Sequence, residues 1–248
     1  MKEKKSVIDK NSVIPLYFQV KEYLRNEIIT GHFKPEQLIP SERELAEEFE
    51  INRLTVRQAI NELVQEGLLY RQRGVGTFVS QPKIEQPLTS LTSFSKDMQN
   101  RGIVPGAQVV SMKVIPATKQ LASRLQIEPQ EEVLELVRVR TADGEPMALE
   151  RSYLRYDQVK PLYGMDMENV SLYQKLEEVC GIRLVKAIQT IEVASVYPEE
   201  AGILEIGPHE PAMLIERTTY TEGADKPLEF VRSLYRGDRY KFKIEMNL

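Results

Sequence analysis

The sequence predicts an α+β protein in two domains. Residues 1–79 are expected to hold three short helices and a two-stranded hairpin, residues 80–91 a connector, and residues 92–248 a mainly antiparallel sheet with helices. Three observations carry this expectation. Between Pro40 and Val79, two apolar-striped segments with helix-start signals run into a glycine-bearing basic tip flanked by strand formers. From Gln108 onward, β-rich runs recur in pairs separated by turn signals. Between these regions, the stretch SQPKIEQPLTSL has two prolines, mixed polarity and no helical or strand period, the pattern of an extended interdomain connector and hinge.

Residues 1–12 are polar and lysine-rich. The first helix starts near Leu16, with Leu16, Val20, Leu24 and Ile28 on one stripe, and Gly31 closes it. Phe33, Leu38 and Ile39 lie on the connection that follows and are expected to plug the three-helix core. Pro40 stops any preceding helix, Ser41 caps the next one, and Glu44 three residues later completes a capping box; Leu45 and Phe49 form its apolar stripe. Glu50-Ile51-Asn52 is a turn, Asn52 caps the third helix, Val56, Ile60 and Leu63 face inward, and Gly67 ends it. The outer face of that helix keeps Arg53, Thr55 and Arg57, the two arginines four apart and pointing the same way. Two short helices with guanidinium groups on the second describe a helix-turn-helix reader of the DNA major groove. A capped helix pair with a few arginines also occurs in proteins that never touch nucleic acid, so the following segment separates the two readings. Leu68, Leu69 and Tyr70 make a strand, Arg71 to Gly76 a basic tip, and Thr77, Phe78 and Val79 the return strand: a wing. Gly74 lets the backbone approach a sugar-phosphate edge where a side chain would collide, and Arg71 and Arg73 beside it suit the minor groove.

Beyond the connector, Thr92 and Ser93 precede a short helix that ends near Gly102. Hydroxyls and free amides at a helix start can bind an anion, or Ser93 can simply cap. Gln108–Ile115 reads as a strand, Thr118–Leu125 as a helix, and Glu132–Thr141 and Met147–Tyr156 as strands joined by the turn Asp143-Gly144-Glu145-Pro146. Ser171–Cys180 and Pro198–Leu204 read as helices, and Leu184–Val196, Ala212–Thr221 and Pro227–Tyr235 as strands; Tyr240–Met246 is expected to finish the sheet, with helices on one side. Period-two alternation puts Arg138 and Arg140 on one face of their strand, and Glu150 and Ser152 on one face of the next. Two neighbouring arginines need an anion between them, which can be Glu150 in a cross-strand salt bridge or a bound ligand. A phosphate there would draw on the arginine forks and the Thr92-Ser93 turn together. Ser171 and Tyr173 add hydroxyls at a helix start, and Glu229 and Tyr235 share a strand face from which they can take sugar hydroxyls or join a surface network.

The blocks Tyr17-Phe18-Gln19-Val20, PSERELA, RLTVRQA, EGLL and RQRGVGTFV resemble, in this order, the winged helix of the GntR transcription regulators. The resemblance implies base contacts from Arg43, Arg53, Arg57 and Gly74, with Arg73 beside the last, and phosphate contacts from Tyr17, Ser41, Thr55 and Thr77. The second domain, through ATKQLASRLQI and the ending RTTYTEG to PLEFVRSLYRGDRYKF, resembles the effector-binding (UTRA) domain of the HutC branch, which shares the chorismate lyase fold. Within that branch, the turn Leu91 to Phe94, the R-V-R of Arg138 to Arg140, Ala148 to Glu150, Ser171 to Tyr173, Glu229 and the Ser233 to Tyr240 run are similar to repressors of amino-sugar use. This implies a phosphate end at Thr92, Ser93, Phe94, Arg138, Ser171 and Tyr173, and a sugar end at Arg140, Glu150, Glu229 and Tyr235. The implied effector is a phosphorylated sugar such as N-acetylglucosamine-6-phosphate or glucosamine-6-phosphate. Local wording departs at Gln189 to Ser195 and Tyr220 to Lys226, so a different sugar phosphate or a small organic acid stays open.

The chain has 248 residues, 42% apolar, which is enough for two cores. Apolar runs are too short to cross a bilayer, and the start Met1-Lys2-Glu3-Lys4-Lys5 has no apolar segment of a secretory signal, so a cytoplasmic protein with no membrane partner is expected. One cysteine, Cys180, forms no intrachain disulfide and is read as packing; with only His32 and His209 besides, no metal site and no cofactor are expected. Arginines, hydroxyls and carboxylates without a histidine base, activated cysteine or metal set argue against an enzyme, although a lyase-like fold keeps that alternative in view. Residues 1–80 hold 12 Lys/Arg and 12 Asp/Glu, so the reader is neutral. DNA affinity rises with the number of phosphates neutralised, which predicts a homodimer on an inverted-repeat operator.

Overall fold

Capping sets the helix boundaries of the N-terminal unit. In this computed structural model, which describes residues 8–88 and 92–246, the chain divides into two units, Met1–Lys83 and Ile84–Leu248. The first contains α1 (Leu16–Ile29), α2 (Glu42–Phe49) and α3 (Arg53–Gln65). Ser41 Oγ accepts from the Glu44 amide at 3.2 Å, and Glu44 Oε2 accepts from the Ser41 amide at 2.8 Å, completing the capping box. Asn52 Oδ1 accepts from the Leu54 amide at 2.8 Å, and Glu50 takes the left-handed turn between the helices. Val20 and Leu24 from α1, Leu45 from α2, and Val56, Ala59, Ile60 and Leu63 from α3 bury one another together with Ile39. Each large aliphatic buried this way contributes about 1.5–3 kcal/mol, and this packing holds helices too short to persist alone. Phe33 packs against the cluster, whereas Leu38 does not join the core: it is half exposed and bridges to Phe78 of the wing. Adjacent residues of an extended segment face opposite ways, so burying Ile39 turns Leu38 outward.

The wing is β1 (Leu69–Gln72) antiparallel to β2 (Gly76–Val79), with Leu69 opposite Val79 and Gln72 opposite Gly76. The strands reach further toward the tip than expected, leaving Arg73-Gly74-Val75 as the turn, with Gly74 at φ 78°. Tyr70 stacks on Phe78 with ring centres 5.4 Å apart.

The second unit is built on a six-stranded sheet in the order β4 (Pro105–Pro116), β5 (Glu132–Ala142), β6 (Glu145–Arg155), β9 (Glu229–Arg236), β8 (Pro211–Thr221) and β7 (Leu184–Ser195). Every neighbouring pair is antiparallel. Helices cover both faces, not one. On one face α4 (Phe94–Asn100), α6 (Tyr156–Val159), a 3-10 turn (Lys160–Leu162) and α7 (Leu172–Cys180) pack on β5, β6 and β9. On the other, α5 (Lys119–Leu125) packs on Val133 and Phe230, and α8 (Pro198–Leu204) on Val137, Val139 and Leu149. The cue lies in β5, whose residues Val133 to Val139 are apolar at both parities apart from Glu135 and Arg138, as a strand buried on both faces requires. Cys180 packs, half-buried, against the α6–α7 cluster.

The last strand also departs from expectation. β10 (Tyr240–Lys243) leaves the large sheet and pairs in parallel with β3 (Ile84–Pro87), a strand formed inside the stretch read as a connector. Four residues are too few to show a period, and backbone pairing rather than side-chain pattern makes this strand. Thr89, Ser90 and Leu91 of that stretch lie outside the described residues. At the sheet edge, β7 exposes Val185, Ile188 and Val193.

A Cβ on Gly237 would stand 2.5 Å from the Pro211 carbonyl oxygen, a backbone atom that cannot rotate away. Gly237→Ala is expected to destabilise the protein by about 1–3 kcal/mol, whereas Gly202→Ala, inside α8 and facing open space, is expected to stabilise it by roughly 0.5–1 kcal/mol. Urea denaturation of both variants checks the pair.

Candidate functional site

Strand register collects the polar side chains of the second unit. Across β5, β6, β9 and β8, Arg138 stands opposite Glu150, Glu150 opposite Ser233, and Ser233 opposite Ile215. The neighbouring row is Arg140, Ala148, Tyr235 and Met213, and on the other side run Leu136, Ser152, Val231 and Arg217, then Leu134, Leu154, Glu229 and Thr219. All these side chains emerge on the face that α4 and α7 cover. Between that face and the helices lies a cavity lined by Thr92, Ser93, Phe94, Arg138, Arg140, Glu150, Ser171, Tyr173, Glu229 and Tyr235, so all ten residues singled out in the sequence come together.

The two arginines behave differently. Arg138 donates from Nη2 to Glu150 Oε1 at 2.5 Å and from Nη1 to the Val170 carbonyl at 3.2 Å, which is the cross-strand salt bridge. Arg140 stands opposite Ala148 instead; its Nη2 donates to Ser95 Oγ at 2.8 Å and its guanidinium lies 4.8 Å from the Phe94 ring centre. The Nε of each is buried without a protein acceptor. Such a donor costs about 1–3 kcal/mol when unsatisfied, and an anionic ligand would relieve it. Ser93 and Ser171 each cap their helix, accepting from Lys96 N at 3.2 Å and Gln174 N at 3.4 Å. A capping hydroxyl still has a proton to donate toward the cavity.

At the other end, Glu229 Oε2 accepts from the hydroxyls of Tyr173 and Thr219, both at 2.9 Å. Burial pushes the Glu229 carboxyl up, and Glu150 nearby pushes it further. Glu150 is opposed by burial as well, but Arg138 and Arg140 outweigh that and hold it below the usual carboxylate range. Burial, then Glu150, raises Tyr235 to about 12, and burial, then Glu229, raises Tyr173 well above its ordinary value. Burial lowers Arg140.

Sequence reading missed Arg217, Ser233, Ser95 and Gln86, which also line the cavity. Arg217 donates from Nε to Gln189 Oε1 at 2.8 Å. Arg217 lies four residues before Thr221 on a strand whose alternation was visible, but its row partners were set by pairing across three strands. Gln86 comes from β3, which had no visible period. The cavity is bounded by β5, β6, β9 and β8 on the sheet side and by Phe94, Ser95, Leu172 and Tyr173 on the helix side. Beside it, a more open cleft carries Lys96 and Arg183 at its rim and shares Ser93, Ser95, Ser171 and Tyr173 with the cavity.

In the first unit, α2, α3 and the wing form a second cleft, lined by Ser41, Arg43, Arg53, Arg57 and Thr77 among the residues expected to meet DNA. Tyr17, Thr55, Arg73 and Gly74 do not line it; the last two stand exposed at the wing tip. Arg43 is exposed and only 3.8 Å from Glu47 in a loose pair. Arg71, expected to suit the minor groove, lines the same cleft, as does Glu42, which was not assigned from the sequence. No helix among the described residues is long and apolar enough to cross a membrane.

Residues 16–79 match the family model for bacterial regulatory proteins, gntR family, and residues 100–241 match the UTRA domain. The chain is 43% identical over 235 residues to the HTH-type transcriptional repressor NagR of Bacillus subtilis (strain 168), covering 95% of this chain and 96% of that protein. It is 32% identical over 231 residues to the mannosyl-D-glycerate transport/metabolism system repressor MngR of Escherichia coli (strain K12), covering 93% and 95%. Among solved structures, PhnF from Mycobacterium smegmatis matches with a TM-score of 0.65 at 34% identity, over 92% of this chain and 99% of that one.

Arg138→Ala would remove the guanidinium that Glu150 is hydrogen-bonded to and leave its buried carboxylate beside the more distant Arg140 and Arg217, at an expected cost of about 3–5 kcal/mol at pH 7. A carboxylate held below its unfolded pKa contributes stability above that value and loses it as pH falls through the folded one. The gap between the native protein and this variant is therefore expected to narrow in acid, which denaturation curves at pH 7 and near pH 4 compare.

Proposed function

The chain belongs to the GntR family, as a HutC-type transcriptional repressor with a winged helix and a UTRA domain, and from that premise we propose that a phosphorylated sugar in the cavity controls its affinity for an operator. The observation that carries this reading is the buried pair Arg138 and Arg140, each with an Nε that no protein group accepts from. A phosphate offers several acceptor oxygens to such forks. Thr92, Ser93, Phe94, Ser171 and Tyr173 stand around the same space for the phosphate end, and Glu150, Glu229 and Tyr235 offer acceptors and a phenol for sugar hydroxyls. N-acetylglucosamine-6-phosphate and glucosamine-6-phosphate are the effectors proposed. A different sugar phosphate or an organic acid is the second reading, favoured by one observation: Gln189, in a stretch where the wording departs from the amino-sugar repressors, holds Arg217 at the cavity wall.

On the DNA side, Arg43, Arg53, Arg57 and Gly74 are proposed to reach bases, with Arg73 beside Gly74 at the minor groove, and Tyr17, Ser41, Thr55 and Thr77 the backbone. A neutral reader needs a second copy to gather enough phosphate contacts, and the edge strand β7, with Val185, Ile188 and Val193 exposed, supports a homodimer. Coupling runs through β3. Gln86 of β3 lines the cavity, and β10, its partner, packs Tyr240 and Phe242 edge-on against Tyr235 at 4.8 and 6.3 Å. A ligand pressing on Tyr235 thus pushes on the strand pair from which the chain runs back to the winged helix, which gives the two ligands one element to bias.

Operator affinity measured with and without each phosphosugar is expected to change for at least one of them, with the unphosphorylated sugar binding about 100-fold more weakly for loss of charge-assisted hydrogen bonds. Unchanged operator affinity with every ligand that demonstrably binds would sink the proposal. Chromatography of bound ligand after incubation is expected to return it unaltered, and turnover would favour an enzyme. For the reader, Arg53→Ala is expected to weaken operator binding by about 1–3 kcal/mol and to relax selectivity at one base pair; equal weakening on all sequences would make Arg53 a phosphate contact.

A further inference from the structure

The DNA-facing cleft of the first unit contains a carboxylate at its centre. Glu42 opens α2, and its side chain is 17% exposed, far less than the arginines around it. Its Oε2 accepts from Arg53 Nε at 3.2 Å and from Arg57 Nε at 3.0 Å, and its Oε1 accepts from Arg71 Nη2 at 3.3 Å. Arg53 and Arg57 stand on α3 and Arg71 on β1. One side chain therefore ties together the three elements that surround the cleft. A negative charge placed where a polyanion is to dock weakens attraction to phosphate, so its presence needs a compensating role.

We infer that Glu42 is the positioning residue of the DNA reader, holding Arg53, Arg57 and Arg71 in the orientation that reads bases while offsetting the charge that would bind any duplex. The inference rests on the DNA-reading assignment above. The geometry of the bonds supports it: Arg53 and Arg57 each spend Nε on Glu42, which leaves the paired terminal Nη groups free for an end-on fork to guanine O6 and N7. Fixing a long side chain before binding also removes the rotamer entropy that a free arginine loses on contact. A guanidinium released from Glu42 is mobile, and a mobile cation collects phosphate without regard to sequence. The competing explanation is that Glu42 only stabilises the first turn of α2 through the helix dipole.

The test uses the full-length chain and its Glu42→Gln variant, which keeps size and one acceptor but removes the charge. Each is put through selection from a randomised duplex library, and its affinity for a random-sequence 30-base-pair duplex is measured across salt concentrations. The native chain is expected to enrich one motif. Glu42→Gln is expected to bind the random duplex several-fold more tightly, with a log–log salt slope steeper by about 1, and its preference for the enriched motif over random duplex is expected to fall about 10-fold or more. Glu42→Asp, which keeps the charge on a shorter stem, is expected to hold the salt slope and lose part of the preference. If Glu42→Gln keeps the native preference and slope, or loses motif and random binding equally together with thermal stability, Glu42 is structural and the inference is overturned. If the native chain itself enriches no motif, the DNA-reading assignment fails, and the inference fails with it.

Discussion

The second unit depends on a cluster of charged side chains buried in the middle of an antiparallel sheet. Arg138, Arg140, Glu150, Arg217 and Glu229 emerge from four adjacent strands on one face, spread over four cross-strand rows and interleaved with leucine, valine and tyrosine. Removing such groups from water costs several kcal/mol for each ion even after relaxation. The fold tolerates them because they answer one another: Arg138 with Glu150, Arg217 with Gln189, and Glu229 with two hydroxyls. The compensation is incomplete at the two arginine Nε atoms. That shortfall marks the cluster as the candidate site, since an apolar core of the same volume is often the more stable solution.

The same cluster explains the helices around it. α4 and α7 cover the charged face, and their caps, Ser93 and Ser171, bring hydroxyls to its edge. The opposite face carries Val137, Val139, Leu149 and Leu234 against α8 and needs no polar partner. The charged pairs on that opposite face, such as Glu135 with Arg151, lie away from the α8 cluster, and an aliphatic cluster around Leu134, Leu136 and Leu154 packs beside the charged groups on the α7 side. Tyr235 belongs to both the cavity wall and the aromatic cluster with Tyr240 and Phe242, so strand β10, partner of β3, is packed directly on that wall.

The winged helix handles charge in the opposite way. Its core is almost entirely aliphatic, and its ions lie around that core in pairs such as Lys21 with Glu62 and Arg25 with Glu66. Only around Glu42 do several guanidinium groups converge on one carboxylate. The unit's overall neutrality therefore has a local form: acidic residues sit on α2, and of the arginines that line the cleft Arg53, Arg57 and Arg71 are held by Glu42, whereas Arg43 is only loosely paired.

What the sequence alone determined follows from short-range rules. The capping box at Ser41 and Glu44, the Asn52 cap, the wing glycine and the hairpin turns are each decided within a few residues, by hydrogen bonds and dihedral preferences that neighbours control. The ten residues gathered around the cavity were also legible, because family-like blocks marked them. Tertiary structure alone decided the rest. Leu38 turned outward because Ile39 took the core, helices settled on both sheet faces because β5 is apolar at both parities, and β10 left the sheet to pair with Ile84–Pro87. Arg217 and Glu42 acquired partners 28 and up to 29 residues away. Such partners follow from strand register and helix packing, which are set by burial summed over a whole domain and leave no local signature in the chain.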